Sequence, residues 1–287
     1  MIAIKGMRPL LFMVFGTTAL LTTQTKPSDT IFVHVQVTDS KKMPAAGLKA
    51  ENFQIWEDGI EQKISYFSES GGPWDVNLIL LGAGNRYGRV AVDEKIAEGI
   101  EAAALEFKKL GNPGNKYSFD VLPDTGTGDG EFWPAMVRNL AELKKSTNPR
   151  RALIVVTTGF DASSGGQRID SQTEDPNVPV YLVFLKFPSV ASGSDLTLNS
   201  GAYATKGSVL MDLAIKTRGD YFLISPDKIK SQLVQLAMDM KNDYVIGFKS
   251  ANRSKDNAWR KLKVKVTSPV GQNLGAMLKD RYYAQKP

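Results

Sequence analysis

Asp75-Val76-Asn77-Leu78-Ile79-Leu80-Leu81-Gly82-Ala83-Gly84-Asn85-Arg86-Tyr87-Gly88 is the stretch whose reading decides the fold. Val76 to Leu81 is a near-continuous apolar run stopped by a glycine. Such a run suits the central strand of a parallel sheet covered on both faces. Ligand sites in those sheets lie just beyond the carboxyl ends of the strands. The residues after Leu81 are therefore the first place to look for function.

Outward from this strand the pattern alternates between strand and helix. Ile96, Ile100, Ala103, Ala104 and Phe107 recur at helical spacing, with Glu94, Glu98, Glu101 and Glu106 on the polar side. Tyr117–Leu122, Arg151–Thr157 and Val178–Phe187 read as further strands, with a helix over Pro134–Lys145 between the first two. Residues 188–206 read as a long Ser/Gly/Thr-rich loop. Ser208–Thr217 reads as a helix and Tyr221–Ile224 as a short strand. Ser225-Pro226 opens a helix carrying Ile229, Leu233, Leu236 and Met240 on one face. This is the signature of a doubly wound α/β domain, expected over residues 74–241.

The flanks are β-type. Ile31, Val33, Val35 and Val37 alternate with polar neighbours, and Phe53–Glu57 alternates again. Asp58-Gly59 is a two-residue hairpin signal, followed by a strand over Gln62–Phe67. After residue 242, Tyr244–Lys249, Trp259–Val266 and Ala276–Ala284 read as three strands. Neither flank can close a core alone. The expectation is one β-sandwich split between residues 28–70 and 242–285, with the α/β domain inserted between the halves.

Composition narrows the chemistry. The chain has 287 residues, no cysteine and one histidine, so disulfides, thiolate nucleophiles and cysteine zinc sites are excluded. The lone His34 alternates within a strand and reads as an exposed strand residue. The formal charge of +6, from 36 basic and 30 acidic residues, is no nucleic-acid signature. Part of it comes from Arg260, Lys261, Lys263 and Lys265. These read as a solvated edge-strand face that discourages aggregation; the other reading is a patch for anionic polymer or lipid headgroups. Lys5 and Arg8 precede an apolar run from Leu10 to Leu21, the form of a secretory signal peptide over residues 1–25. The expected location is secreted or periplasmic, with no membrane span after its removal.

Gly82, Gly84 and Gly88 follow a strand and so resemble a dinucleotide-binding turn. Two features oppose it: the helical period begins only beyond Val92, and the ribose-binding acid expected about 20 residues on, at the end of the next strand, is not there, because that strand ends near Leu122.

A longer series of residues carries a family resemblance. It runs through Val35–Asp39, Gly47–Gly59, Arg151–Gly159, Tyr221–Ser225, Tyr244–Ser250, Trp259–Val264 and Arg281–Ala284. In order and spacing these are similar to the von Willebrand factor A-related secreted proteins of acidobacteria. The resemblance implies a doubly wound, mainly parallel sheet of von Willebrand factor A type. It also implies a metal-ion-dependent adhesion site at the carboxyl ends of the strands, opened by Asp-x-Ser-x-Ser. Here those places fall on Leu81, Ala83 and Asn85, and the family's later aspartate falls on Thr158. A hard cation needs oxygen ligands, which Leu81 and Ala83 cannot supply.

The expected function is thus a secreted, non-enzymatic protein-binding, adhesion or scaffold protein with no cofactor and a degenerate metal site. Its partner is an unidentified protein or cell-envelope component, with no role for nucleic acid. Asn85, Arg86, Thr158 and Asp161 are the expected partner-binding residues. Two alternatives remain: an exported nucleotide- or NAD(P)-binding enzyme using Gly82, Gly84 and Gly88, and a cation-dependent binder using Asp124 and Asp129. Arg218-Gly219-Asp220 matches a cell-attachment tripeptide but also reads as a helix end closing before a strand.

Overall fold

The computed structural model describes residues 30–84, 86–87, 90–122, 131–158, 177–187, 210–252, 254 and 256–284. The expected leader over residues 1–25 lies outside them. The central strand, β5 (Asp75–Leu81), is buried on both faces. Val76, Leu78 and Leu80 enter one apolar cluster and Ile79 the other. Two-sided burial is why the run reads as continuous rather than alternating.

Around β5 lie β8 (Lys116–Leu122), β9 (Arg151–Thr157), β10 (Val180–Leu185) and β11 (Asp220–Ile224), in the order β11-β10-β9-β5-β8. All the pairings are parallel. Helices α1 (Glu94–Leu110) and α4 (Ile229–Asn242) cover one face, while α2 (Phe132–Lys145) and α3 (residues 210–216) cover the other. Helix α1 starts where Asp93 accepts a hydrogen bond from the Ile96 amide, and it buries Ala97, Ile100, Ala103, Ala104 and Phe107.

Asn77 is the polar side chain in the interior of β5. It points at α2, where its Nδ2 donates to Asn139 Oδ1 at 3.0 Å and to Glu142 Oε2 at 3.3 Å. Asn139 Nδ2 in turn donates to the Ala135 carbonyl at 2.8 Å. The buried amides are thereby satisfied rather than stranded.

The terminal segments form two four-stranded antiparallel sheets. One holds β14 (Gly275–Met277), β1 (Thr30–Thr38), β12 (Asp243–Lys249) and β4 (Ile64–Ser68), in that order. The other holds β15 (Arg281–Ala284), β13 (Ala258–Val266), β2 (Phe53–Glu57) and β3 (Ile60–Gln62). Both contribute to one apolar core: Val33, Val35, Tyr244, Ile246 and Phe248 from the first, Phe53, Ile55, Leu262 and Tyr282 from the second. Each sheet joins strands from both ends of the chain, since β1 pairs with β12 and β13 with β2.

Three expectations need correction. The strand expected over Gln62–Phe67 is two strands, because the chain leaves one sheet after Gln62 and joins the other from Ile64. Likewise Ala276–Ala284 divides into β14 and β15, which belong to different sheets. Such corner strands show an unbroken sequence pattern while changing pairing partner. The Asp58-Gly59 hairpin forms as read, with positive φ at both residues (47° and 86°). The third correction concerns β13, which is not an edge strand: β15 pairs on one side and β2 on the other. Arg260 also departs from its lysine neighbours, because it is 5% exposed and bonded to Asp256 at 2.8 Å.

Candidate functional site at the carboxyl end of the parallel sheet

From β5 the chain crosses to β8 at one side, then returns past β5 to β9 and continues outward to β10. The order therefore reverses between β5 and β9, and the crevice of an open α/β sheet lies beyond that pair. Leu81 and Gly82 end one strand; Thr157 and Thr158 end the other.

The backbone at the end of β5 is closed in upon itself. The Gly82 amide donates to the Leu122 carbonyl at 3.0 Å, and the Gly84 amide donates to the Val92 carbonyl at 2.7 Å. A Cβ at Gly82 would come within 2.7 Å of the Leu122 carbonyl oxygen, so close strand approach accounts for this glycine. Gly84 has φ of +88°, the left-handed region that glycine enters without strain. Between this turn and α1 a short hairpin intervenes, β6 (Arg86–Tyr87) with β7 (Val90–Ala91). A phosphate cradle needs free amides at the start of a helix. Here the amides of Gly82 and Gly84 are spent on the chain, and α1 begins only after Asp93.

Of the expected binding residues, Arg86 lies in the β6–β7 hairpin at the end of β5, and Thr158 directly follows β9. Thr158 is fully buried (0% exposed), so it backs the crevice rather than presenting a surface. Asn85 and Asp161 lie outside the described residues, as do Gly88, Asp124 and Asp129. Leu81, at the place of the first metal ligand of the resembling family, is a core residue packed beneath α1 and α4. Among the described residues no group of His, Asp and Glu could hold a metal ion.

The opposite, amino end of the sheet carries a polar network that the sequence did not announce. His34 is not an exposed strand residue. Its side chain is 14% exposed and its ring stacks on Trp74 with centroids 4.9 Å apart. Its Nδ1 lies 3.7 Å from Asp243 Oδ2. Burial, helped by the charges of Arg150 and Arg218, lowers the His34 pKa to about 3. Burial likewise pushes Asp243 up to about 7, against the pull of Arg150. The Arg150 guanidinium sits over Trp74 and donates to the Glu69 carbonyl at 2.5 Å. Asn177 joins the two units, accepting from the Phe32 amide and from Arg218 Nη2 while donating to the Thr30 carbonyl. At the outer side of this end, Asp75, Lys116, Glu142 and Ser146 border a cleft of about 300 Å³. Asp75 there accepts from Ser146 and Asn148.

The Arg218-Gly219-Asp220 tripeptide belongs to the same junction. Arg218 is 7% exposed, takes φ of 64° and packs over the Tyr282 ring. The left-handed residue closing α3 is thus Arg218, not Gly219. Gly219 is fixed by crowding, since a Cβ there would fall 1.8 Å from the Val180 carbonyl oxygen. Asp220 is paired with Lys279 at 2.6 Å. The tripeptide is a corner whose first residue is buried and whose aspartate is held in an ion pair.

No protein-family model matches the chain, and no curated protein is significantly similar to it in sequence.

Proposed function

We propose that the chain is an exported, non-enzymatic binding or scaffold protein whose partner face lies beyond the carboxyl ends of β5 and β9. On this reading the parallel sheet is of von Willebrand factor A type and its cation site is degenerate. The observation that carries the proposal is the switch point itself. The doubly wound sheet reverses between β5 and β9, and a core leucine, Leu81, stands where a cation ligand would be needed. Binding there rests on hydrogen bonds and charge supplied by the loops, with Arg86 placed on the hairpin that leaves β5.

The test is in situ chemical crosslinking, followed by identification of the captured component. Arg86→Glu is expected to abolish capture while leaving the melting temperature unchanged; undiminished capture would overturn the assignment. The nucleotide-dependent alternative predicts a melting temperature raised by NAD(P) or nucleotide. The amides committed at Gly82 and Gly84 weigh against it. A cation-dependent binder using Asp124 and Asp129 predicts a melting temperature that rises with Ca²⁺ and falls with chelator.

A further inference from the structure

We propose that the outer face of the β15-β13-β2-β3 sheet is a docking surface for an anionic lipid bilayer. β13 alternates strictly here: Arg260 and Leu262 turn inward, while Trp259, Lys261, Lys263 and Lys265 turn outward. The register sets Tyr283 beside Trp259, Arg281 beside Lys261 and Trp56 beside Lys263. One face therefore carries three lysines, an arginine and three aromatic rings.

An edge strand uses lysines to block pairing with another chain. β13 has both edges paired, so its lysine row has no such task. Among the described residues, Lys261, Lys263 and Lys265 have no carboxylate within ion-pair distance, whereas other cations of the chain do. The nearby carboxylates are engaged elsewhere: Glu61 by Gln54, Asp280 by Arg281, and Asp58 by the Lys261 amide and Arg260. Three unpaired ammonium groups, spaced at roughly 7 Å by the two-residue strand repeat, form a field complementary to a surface of negative charge.

The aromatic rings decide the kind of surface. A single-stranded nucleic acid would need free ring faces on which to stack. Here those faces are already covered: Arg281 lies 5.2 Å over Trp259, Lys263 5.8 Å over Trp56, and Lys216 5.4 Å over Tyr283. Rings engaged in this way beside a row of lysines are amphipathic groups of the kind that settles at a membrane–water interface. Trp259 is 38% exposed and stands with Tyr283 at one end of the row. The long lysine stems can lie on the sheet while their heads reach anionic headgroups. No helix among the described residues is long and apolar enough to cross a membrane.

The test is co-sedimentation of the full chain with phosphatidylcholine vesicles, with and without about 30 mol% phosphatidylglycerol, at about 0.1 M and 0.5 M salt. Binding is expected only to the anionic vesicles and only at the lower salt. Lys261→Gln/Lys263→Gln/Lys265→Gln is expected to weaken partitioning about 100-fold, at about 1 kcal/mol per lysine. A charge-matched control, Lys95→Gln/Lys109→Gln/Lys230→Gln on α1 and α4, should stay within about threefold of the parent. Should the lysine triple not fold, Lys263→Glu alone serves, with at least about tenfold loss expected. Equal binding to neutral vesicles would overturn the proposal, as would equal loss in the control. Retention of an anionic polysaccharide or oligonucleotide without vesicle binding would overturn it too, and would assign the face to a polymer.

Discussion

The two ends of the parallel sheet are built on opposite principles. At the carboxyl end the turn after β5 is shaped by glycines and closed by backbone bonds to Leu122 and Val92. At the amino end Trp74, His34, Arg150, Asp243 and Asn177 bind the α/β unit to the terminal sheets through side chains from distant parts of the chain. The contrast assigns the roles. An end that commits large aromatic and charged groups to burial is the mechanical joint. Beyond the other end lie the loops that in such sheets can vary with a partner.

The largest expected effect breaks the joint. Trp74 is 1% exposed and donates its Nε1–H to the Met240 carbonyl at 3.0 Å. Trp74→Ala should cost about 3–5 kcal/mol in denaturant unfolding. A loss under about 1 kcal/mol would deny the amino end its role.

Next comes the pH response of His34 and Asp243. An unfolded chain titrates its histidine near 6.5 and its aspartate near 3.8, whereas the folded chain moves them to about 3 and about 7. Between about pH 4 and 6.5 both states then hold one proton on the pair, and its contribution to stability is nearly flat. Asp243→Asn leaves a histidine whose folded pKa is depressed. Its stability contribution, full above pH 6.5, should fall with acid by about 1 kcal/mol per pH unit towards pH 3. His34→Gln leaves an aspartate whose folded pKa is raised. That contribution, full below about pH 4, should fall as pH rises towards 7. Unfolding curves at stepped pH read both slopes, and slopes of the same sign would refute the pairing.

At the carboxyl end the effects shrink. Gly82→Ala forces a methyl against the Leu122 carbonyl and should cost about 1–3 kcal/mol in thermal unfolding, by crowding alone. Arg86→Glu, on the β6–β7 hairpin, should change stability by less than about 0.5 kcal/mol. Its predicted consequence is lost partner capture.

Much of the architecture was legible because its signals are local. Two-sided burial marked β5 and β9, helical period marked α1, and Asp58-Gly59 marked a hairpin that formed with positive φ at both residues. What was illegible depends on pairings far apart in sequence. Alternation correctly placed His34 opposite Val33 and Val35. It could not show that the opposite face is covered by Trp74 instead of water. Nor could it show that β13 is flanked by β15 and β2, or that the chain changes sheets between Gln62 and Ile64. Within the candidate site, the late start of α1 was readable from Val92 onward. The crowding at Gly82 was not, because it is imposed by β8 across the sheet.

The joint also has a consequence for the order of assembly. Gly71 donates to the Lys241 carbonyl at 2.9 Å, so the α/β unit begins and ends at one point. If that unit folds first, it holds the ends of its ~170 residues together before β4 meets β12. The later pairing then closes a gap of a few residues rather than a long loop, which lowers the entropic cost by about 3 kcal/mol. Until then β1 to β4 wait with an unclosed apolar face. A circular permutant opened in the loop between β13 and β14 should therefore fold at a rate close to the parent's, whereas one opened inside α1 should fold far more slowly.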